Sequence, residues 1–136
     1  MTRFGIDAQV AIRIATEQLR VPNTDQLVAP NRLRSDALKI LYCAVRKGTM
    51  RQDEAHRILD GVTTTRIRLL GDRVSRTEAW KIAEHLGWDD TAQAEYVAVA
   101  KLQAEVFVTL DLGLARKVDG IVPVASFDAV FAQHHS

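Results

Sequence analysis

Val106-Phe-Val-Thr-Leu-Asp111 is a short apolar run that ends abruptly at an aspartate. A strand that is apolar on both faces is typical of the centre of a parallel sheet, where helices cover both sides. A second run, Phe4-Gly-Ile6, ends in the same way at Asp7. Because ligands bind outside the carboxyl ends of the strands in open parallel sheets, we expect the two aspartates to meet in one cleft.

Strand-like and helix-like segments alternate along the rest of the chain. Apolar and β-branched runs predict strands at residues 3–7, 26–29, 64–70, 106–110 and 121–125. Apolar residues at helical spacing predict helices at residues 8–18, 30–46, 51–60, 75–86, 90–103 and 111–118, with a final short helix from Ser126. This alternation predicts an α/β fold of three layers, α/β/α, around a central parallel sheet of four or five strands.

Local signals set the expected helix starts. Pro30 fits the first turn of the second helix, where its missing N–H costs nothing. Thr49 with Gln52, and Ser75 with Glu78, have the spacing of capping boxes.

The chain has 136 residues, enough for one domain with its own core, so we expect residues 1–136 to form a single domain. The consecutive helices at residues 30–46 and 51–60 would form a helical hairpin beside the sheet, which offers a dimer face or the wall of a groove. His134 and His135 stand beside the terminus and are expected to be disordered.

Charge and cysteine content narrow the class of protein. The formal net charge is +1, yet 13 of the 18 basic residues are arginines, whose planar guanidinium suits phosphate, so contact with RNA or DNA is compatible with the composition. The single cysteine, Cys43, lies in an apolar stretch and excludes a disulfide framework. No apolar run approaches about 18 residues and no signal-peptide core is found, so we expect no membrane span and a cytoplasmic protein.

Four acidic positions at expected strand ends or helix starts form a candidate metal site: Asp7, Asp36, Asp90 and Asp111. Each of them taken alone is most simply a helix cap or a loop residue. Carboxylates that share one cleft suit a hard divalent cation, because Mg²⁺ takes oxygen ligands and completes its shell with water and substrate phosphate. Water bound to such a cation can attack a phosphodiester.

Five segments then follow one another in a familiar order, namely Phe4-Gly-Ile-Asp-Ala8, Ala29-Pro-Asn-Arg-Leu-Arg-Ser-Asp-Ala-Leu38, Asp90-Thr-Ala-Gln-Ala-Glu-Tyr-Val-Ala-Val-Ala100, Val108-Thr-Leu-Asp-Leu-Gly-Leu-Ala-Arg116 and Gly120-Ile-Val-Pro-Val124. In these segments the chain resembles the PIN-domain ribonucleases, and among them the VapC-type toxins of bacterial toxin–antitoxin pairs. No single segment is specific. The resemblance rests on their order and spacing over nearly the full length.

The resemblance implies a PIN-like fold and a ribonuclease that depends on Mg²⁺ or Mn²⁺. It implies that Asp7, Asp36, Asp90 and Asp111 are the catalytic and metal-binding residues, with Asp36 where the family more often has Glu. It also implies an RNA substrate, a cognate antitoxin protein that blocks the site, and a homodimer formed largely by helices.

One departure from the family pattern concerns the third acid. That acid usually stands three residues before the tyrosine of Tyr96-Val-Ala98, and here the place is taken by Gln93, a neutral ligand. Asp90 lies one helical turn earlier on nearly the same face and is the expected substitute, while Glu95 is a poorer candidate. The alternative is that Asp90 only caps its helix and that the metal site is weakened.

Three further residues have expected supporting roles, each with a simpler structural alternative. The hydroxyl of Thr109 would orient a metal-bound water, or would serve the strand end structurally. Arg32 and Arg34 would bind RNA phosphate or pair with the acids, or would be solvated surface.

Two rival functions remain open. The first is a catalytically impaired PIN-like domain that binds RNA or a protein partner, with Gln93 marking a lost metal site. The second is a phospho-acceptor receiver domain, which also places aspartates at strand ends. It is disfavoured because no adjacent acid pair follows the first strand and no lysine is suitably placed late in the chain.

Overall fold

A computed structural model describes residues 1–131, and the expectation for His134 and His135 lies outside the described residues. Five parallel strands form one sheet in the order β3-β2-β1-β4-β5. The strands are β1 (Thr2–Ile6), β2 (Asp25–Pro30), β3 (Ile67–Leu70), β4 (Val106–Thr109) and β5 (Val124–Ser126). The helices of the described part are α1 (Ala8–Thr16), α2 (Leu33–Arg46), α3 (Gln52–Thr64), α4 (Arg73–Leu86), α5 (Ala92–Gln103), α6 (Leu112–Val118) and α7 (Phe127–Phe131).

The predicted three-layer α/β/α architecture with a parallel sheet is confirmed. Strand β1 lies between β2 and β4. From β1 the chain moves across the sheet to β2 and β3, and it then crosses back to the opposite side of β1 to form β4 and β5. Right-handed crossovers of opposite direction place α1 to α3 on one face of the sheet and α4 with α5 on the other. Phe107 and Val108 are fully buried, as expected for a strand that is covered on both faces.

Helix α5 lies directly against the sheet. It is buried all round from Tyr96 to Ala100, because the sheet covers one side and α4 packs against the other. A Cβ atom added at Gly5 would come within 2.4 Å of the Ala100 Cβ, so only glycine permits this approach. The close contact seats the carboxyl-terminal half of α5 directly on β1.

Several predicted boundaries were wrong for local reasons. Pro30 is the last residue of β2, opposite Leu70, because the fixed φ of proline suits a strand end as well as a helix start. The Thr49 hydroxyl donates to the carbonyl of Ala44 at 3.1 Å instead of capping the next helix. Helix α3 therefore starts at Gln52 without a side-chain cap. It continues to Thr64, so β3 is shorter than the predicted strand at residues 64–70.

The capping box of α4 is also displaced by three residues. Asp72 is the N-cap, its carboxylate accepts from the Ser75 N–H at 2.8 Å, and the Ser75 hydroxyl accepts in return from the Asp72 N–H at 3.1 Å. Ser75 thus stands at the third helical position, where a capping box usually has Glu or Gln. In the described part, residues 1–131, no helix is long and apolar enough to cross a lipid bilayer.

Candidate active site

A cleft of about 640 Å³ opens at the carboxyl edge of the sheet. Three of the four predicted acids line it: Asp7 after β1, Asp36 on α2 and Asp111 before α6. The register of β1 and β4 explains why two of them meet, since Ile6 pairs with Val108 and the chain leaves both strands at the same level.

Asp7 and Thr109 form the floor of the cleft. Asp7 is the N-cap of α1, where its Oδ1 accepts from the Val10 N–H at 2.9 Å, and its Oδ2 accepts from the Thr109 hydroxyl at 2.7 Å. Thr109 is only 4% exposed, and its oxygen also accepts from the Asp111 N–H at 3.2 Å. One threonine hydroxyl therefore ties the first acid to the backbone of the fourth.

Burial and charge act together on Asp7. Desolvation raises the pKa of the Asp7 carboxyl above its ordinary value of 3.8, and the nearby charge of Asp111 raises it further. The hydrogen bonds from Thr109 and Val10 lower the pKa and partly offset the burial. Asp111, the N-cap of α6, is more exposed, and its Oδ1 accepts from the Leu114 N–H at 3.0 Å.

Asp36 is held by an arginine and a tyrosine. Arg32 donates from Nε to Asp36 Oδ2 at 2.8 Å and from Nη2 to Asp36 Oδ1 at 3.2 Å, which is a bidentate fork. The same guanidinium donates from Nη1 to Glu95 Oε2 at 2.8 Å. The Tyr96 hydroxyl donates to Asp36 Oδ2 at 2.6 Å, and burial together with this bond raises the pKa of the tyrosine. Hydrogen bonding to Asp36 likewise raises the pKa of Arg32.

The structure places Asp90 outside the cleft. Its Oδ1 accepts from the Ala92 N–H at 3.0 Å, so it serves the start of α5, and it borders a separate small cavity of about 170 Å³ with Trp88 and Asp89. Gln93 lines both cavities and stands between Asp90 and the other acids. The structure therefore brings together Asp7, Asp36, Asp111 and Gln93, but not Asp90.

The remaining supporting residues divide between pairing and solvent. Arg32 pairs with two acids, as one of the sequence alternatives proposed, whereas Arg34 is exposed and is not among the residues that line the cleft. Sequence reasoning missed the role of Tyr96 and undervalued Glu95. The helical spacing of Gln93 and Tyr96, three residues apart, places both on one face and was the available signal for the tyrosine.

The wall formed by α2 is partly apolar and partly basic. Ile40, Cys43 and Ala44 line it between the side chains of Lys39 and Lys47. The first helix of the predicted hairpin therefore forms a groove wall. The two lysines give this end of the cleft a positive charge beside the carboxylates.

The donor atoms of the cleft determine whether it can hold a divalent cation. Within residues 1–131, no group of three or more His, Cys, Asp or Glu side chains is arranged to hold a metal ion. Asp36 is the least available of the three acids, because the charged Arg32 fork neutralises it and Tyr96 also donates to it. The hydrogen-bond partners of Asp7 and Asp111 are neutral groups. Asp7 and Asp111 remain, and Mg²⁺ is commonly held by one or two carboxylates with waters and substrate phosphates. The residues therefore fit a two-carboxylate cation site rather than a closed cage.

Comparison with known proteins supports the fold. No protein-family model matches the chain, and no curated protein matches its sequence. The crystal structure of PAE2754 from Pyrobaculum aerophilum is similar over 98% of this chain and 94% of that one, with a TM-score of 0.73 and 20% identity. The structure of VapBC-1 from nontypeable Haemophilus influenzae is similar over 92% of this chain and 98% of that one, with a TM-score of 0.60 and 16% identity. The PIN-like fold is thereby confirmed.

Proposed function

We propose that this chain is a metal-dependent endoribonuclease and the toxin of a toxin–antitoxin pair. The observation that carries the proposal is the Asp7–Thr109–Asp111 arrangement at the carboxyl edge of the sheet. The likeness to the VapBC-1 structure supports the toxin class, since the two folds agree over 92% of this chain. The cation would be Mg²⁺ or Mn²⁺, held by Asp7 and Asp111.

The residues of the chain prepare this site before any ligand arrives. Thr109 and the first turn of α1 fix both oxygens of Asp7, and the first turn of α6 fixes one oxygen of Asp111. A fixed carboxylate pair costs little reorganisation when a cation binds. When bound, the cation would supply Lewis-acid polarisation and a water of lowered pKa for attack on the phosphodiester.

Lys39 and Lys47 would attract the RNA backbone to the same cleft. Both line it on the α2 wall: Lys39 follows Asp36 by about one helical turn, and Lys47 is the C-cap of the helix. Lysine contributes a point charge to a phosphate without reading the base, so this wall favours affinity over sequence selection. Binding that depends on these lysines should weaken as the salt concentration rises.

The protein partners follow from the same proposal. A cognate antitoxin would cover the cleft and block access of RNA. A homodimer would use exposed apolar side chains of α2, because Leu38 and Tyr42 are 54% and 63% exposed while Leu41 of the same helix is buried in the core.

A second candidate is a PIN-like module that binds RNA or protein without cleaving it. Two observations favour it: Gln93 contributes no charge, and Asp36 is already neutralised by Arg32. The two candidates differ in a measurable way. Only the first predicts RNA cleavage that a chelator abolishes.

The test is cleavage of a mixed RNA substrate by purified protein with added Mg²⁺ or Mn²⁺. We expect cleavage by the unaltered chain and its loss on chelation and in Asp7→Asn. Asparagine keeps the cap to Val10, so this variant should fold normally. RNA binding without cleavage would favour the non-catalytic module, and cleavage by Asp7→Asn at the unaltered rate would exclude the proposed site.

A further inference from the structure

Arg32 is a cleft cation that the chain itself pairs with two acids. Its side chain lines the cleft, and its three donor nitrogens are all directed at carboxylates of Asp36 and Glu95. These two acids belong to different helices, α2 and α5. Arg32 and Glu95 are 63 residues apart in the sequence. Arg32 thus joins two walls of the cleft through charge.

The geometry of the pair makes it persistent. The Asp36 side chain is 21% exposed and Arg32 and Glu95 are each 35% exposed, so water screens the contacts only in part. A fork that engages both carboxylate oxygens resists exchange better than a single bond, and Glu95 holds the third nitrogen in place. The Tyr96 hydroxyl adds a third donor to Asp36.

The consequence for a divalent cation is competition. The Arg32 fork occupies one edge of the Asp36 carboxylate, and the guanidinium repels any other positive charge nearby. A cation that approached Asp36 would therefore compete with Arg32 for it. The absence of a three-acid metal group within residues 1–131 agrees with this arrangement.

We propose that Arg32 is an internal lock on the second acid, which keeps Asp36 from a divalent cation and so lowers the affinity of the cleft for Mg²⁺ or Mn²⁺. This inference rests on the proposed function, because it assumes a cation site at Asp7 and Asp111. Arg32 is a positioning residue here, since it acts on the cation through Asp36. The lock would also make Glu95 a part of the site, because Glu95 holds the third nitrogen of the arginine.

The experiment measures Mn²⁺ binding alone, by calorimetry, without RNA. Arg32→Gln removes the fork and the charge, and we expect Mn²⁺ to bind at least about tenfold more tightly, as expected from the loss of one nearby positive charge. Arg34→Gln is the matched control, because it removes an exposed arginine from the same helix and should leave the affinity unchanged. Arg32→Lys keeps the charge without the fork and should lie between the two.

A second substitution assigns the gain to Asp36. In the double variant Arg32→Gln with Asp36→Asn, the tighter binding should disappear. If the gain survives, Asp36 is not the acid that the arginine withholds, and the lock is refuted. Should Arg32→Gln fail to fold, judged by circular dichroism, Arg32→Lys replaces it, because it also removes the fork to Asp36. An Mn²⁺ affinity of Arg32→Lys equal to that of the unaltered chain would then overturn the proposal.

The outcomes separate this inference from the proposed function. Equal Mn²⁺ affinity of the unaltered chain and Arg32→Gln would overturn the lock alone and leave the two-carboxylate site intact. If neither protein binds Mn²⁺, both proposals fail. Mn²⁺ binding that is seen only in Arg32→Gln supports the lock, and it means that Arg32 prevents Mn²⁺ binding in the unaltered chain.

Discussion

Replacement of Thr109 by valine tests the floor of the site. Valine has nearly the same shape as threonine, so the substitution deletes the hydroxyl and little else at a position that is 4% exposed. Two hydrogen bonds are lost with it, one to the Asp7 carboxylate at 2.7 Å and one from the Asp111 N–H at 3.2 Å.

The magnitude follows from these two bonds. A hydrogen bond to a charged group contributes about 1.5–3 kcal/mol to the free energy of unfolding, and an ordinary one about 0.5–1.5 kcal/mol. Part of this loss is offset, because valine no longer buries a hydroxyl group. We expect the free energy of unfolding at neutral pH to fall by about 2 kcal/mol. For a chain of this length, the midpoint of thermal unfolding should drop by about 4–8 °C.

The pH dependence has a definite sign. The pKa of Asp7 in the folded protein is raised above 3.8, so this carboxyl disfavours the folded state increasingly as the pH rises from 3.8 through the folded pKa. Without the Thr109 bond, which lowers the pKa, the folded value rises further. The difference in stability between the unaltered protein and Thr109→Val should therefore be smaller below 3.8, where Asp7 is protonated in both states, and grow above it.

The assay is urea denaturation followed by circular dichroism, at neutral pH and in acid. Thr77→Val is the matched control, because its hydroxyl only donates to the Arg73 carbonyl of its own helix on the exposed surface. We expect the control to change stability little at either pH. If Thr109→Val were as stable as the control at neutral pH, the Thr109 hydroxyl would not hold Asp7 as described.

Three further predictions concern packing, capping and the position of Asp90. In Gly5→Ala the new methyl group would meet Ala100, so we expect a loss of about 2–3 kcal/mol by urea denaturation, and equal stability would contradict the close approach of α5 to β1. In Asp72→Ala the cap to Ser75 is lost, and hydrogen bonding from Ser75 lowers the pKa of Asp72 in the folded protein. By urea denaturation, the variant should therefore be less stable above pH 3.8, and the difference should shrink as the pH falls through the lowered pKa. In Asp90→Asn we expect unchanged RNA cleavage and Mn²⁺ affinity, whereas a marked loss of either would return Asp90 to the site.

The sequence predicted the sheet and its two central acids because those features depend on local pattern. Phe107 and Val108 are apolar residues that helices must cover on both faces of the sheet. Since β1 and β4 are parallel neighbours, Asp7 and Asp111, which follow their last residues, lie at the same edge. Residues Asp7 and Asp111 were placed correctly for this reason. Their proposed role in binding a cation remains a prediction.

The contacts between distant elements could not be predicted in the same way. The bonds that Arg32 makes to Asp36 lie within one helix and follow from four-residue spacing, but its bond to Glu95 depends on how α2 and α5 pack. Pro30 shows the same limit at the level of local structure, since its fixed φ is compatible with both a strand end and a helix start. The position of Asp90 depended on where α5 begins, and its carboxylate serves Ala92 at that start.

The central claim is that Asp7 and Asp111 hold the cation for RNA hydrolysis. The most direct test is the dependence of the RNA cleavage rate on Mn²⁺ concentration, measured for the unaltered protein and for Asp111→Asn. Asparagine preserves the cap to Leu114, so the fold should survive while one charged ligand is lost. We predict that half-maximal cleavage in Asp111→Asn requires at least about tenfold more Mn²⁺. Superimposable Mn²⁺ curves for the two proteins would contradict the claim.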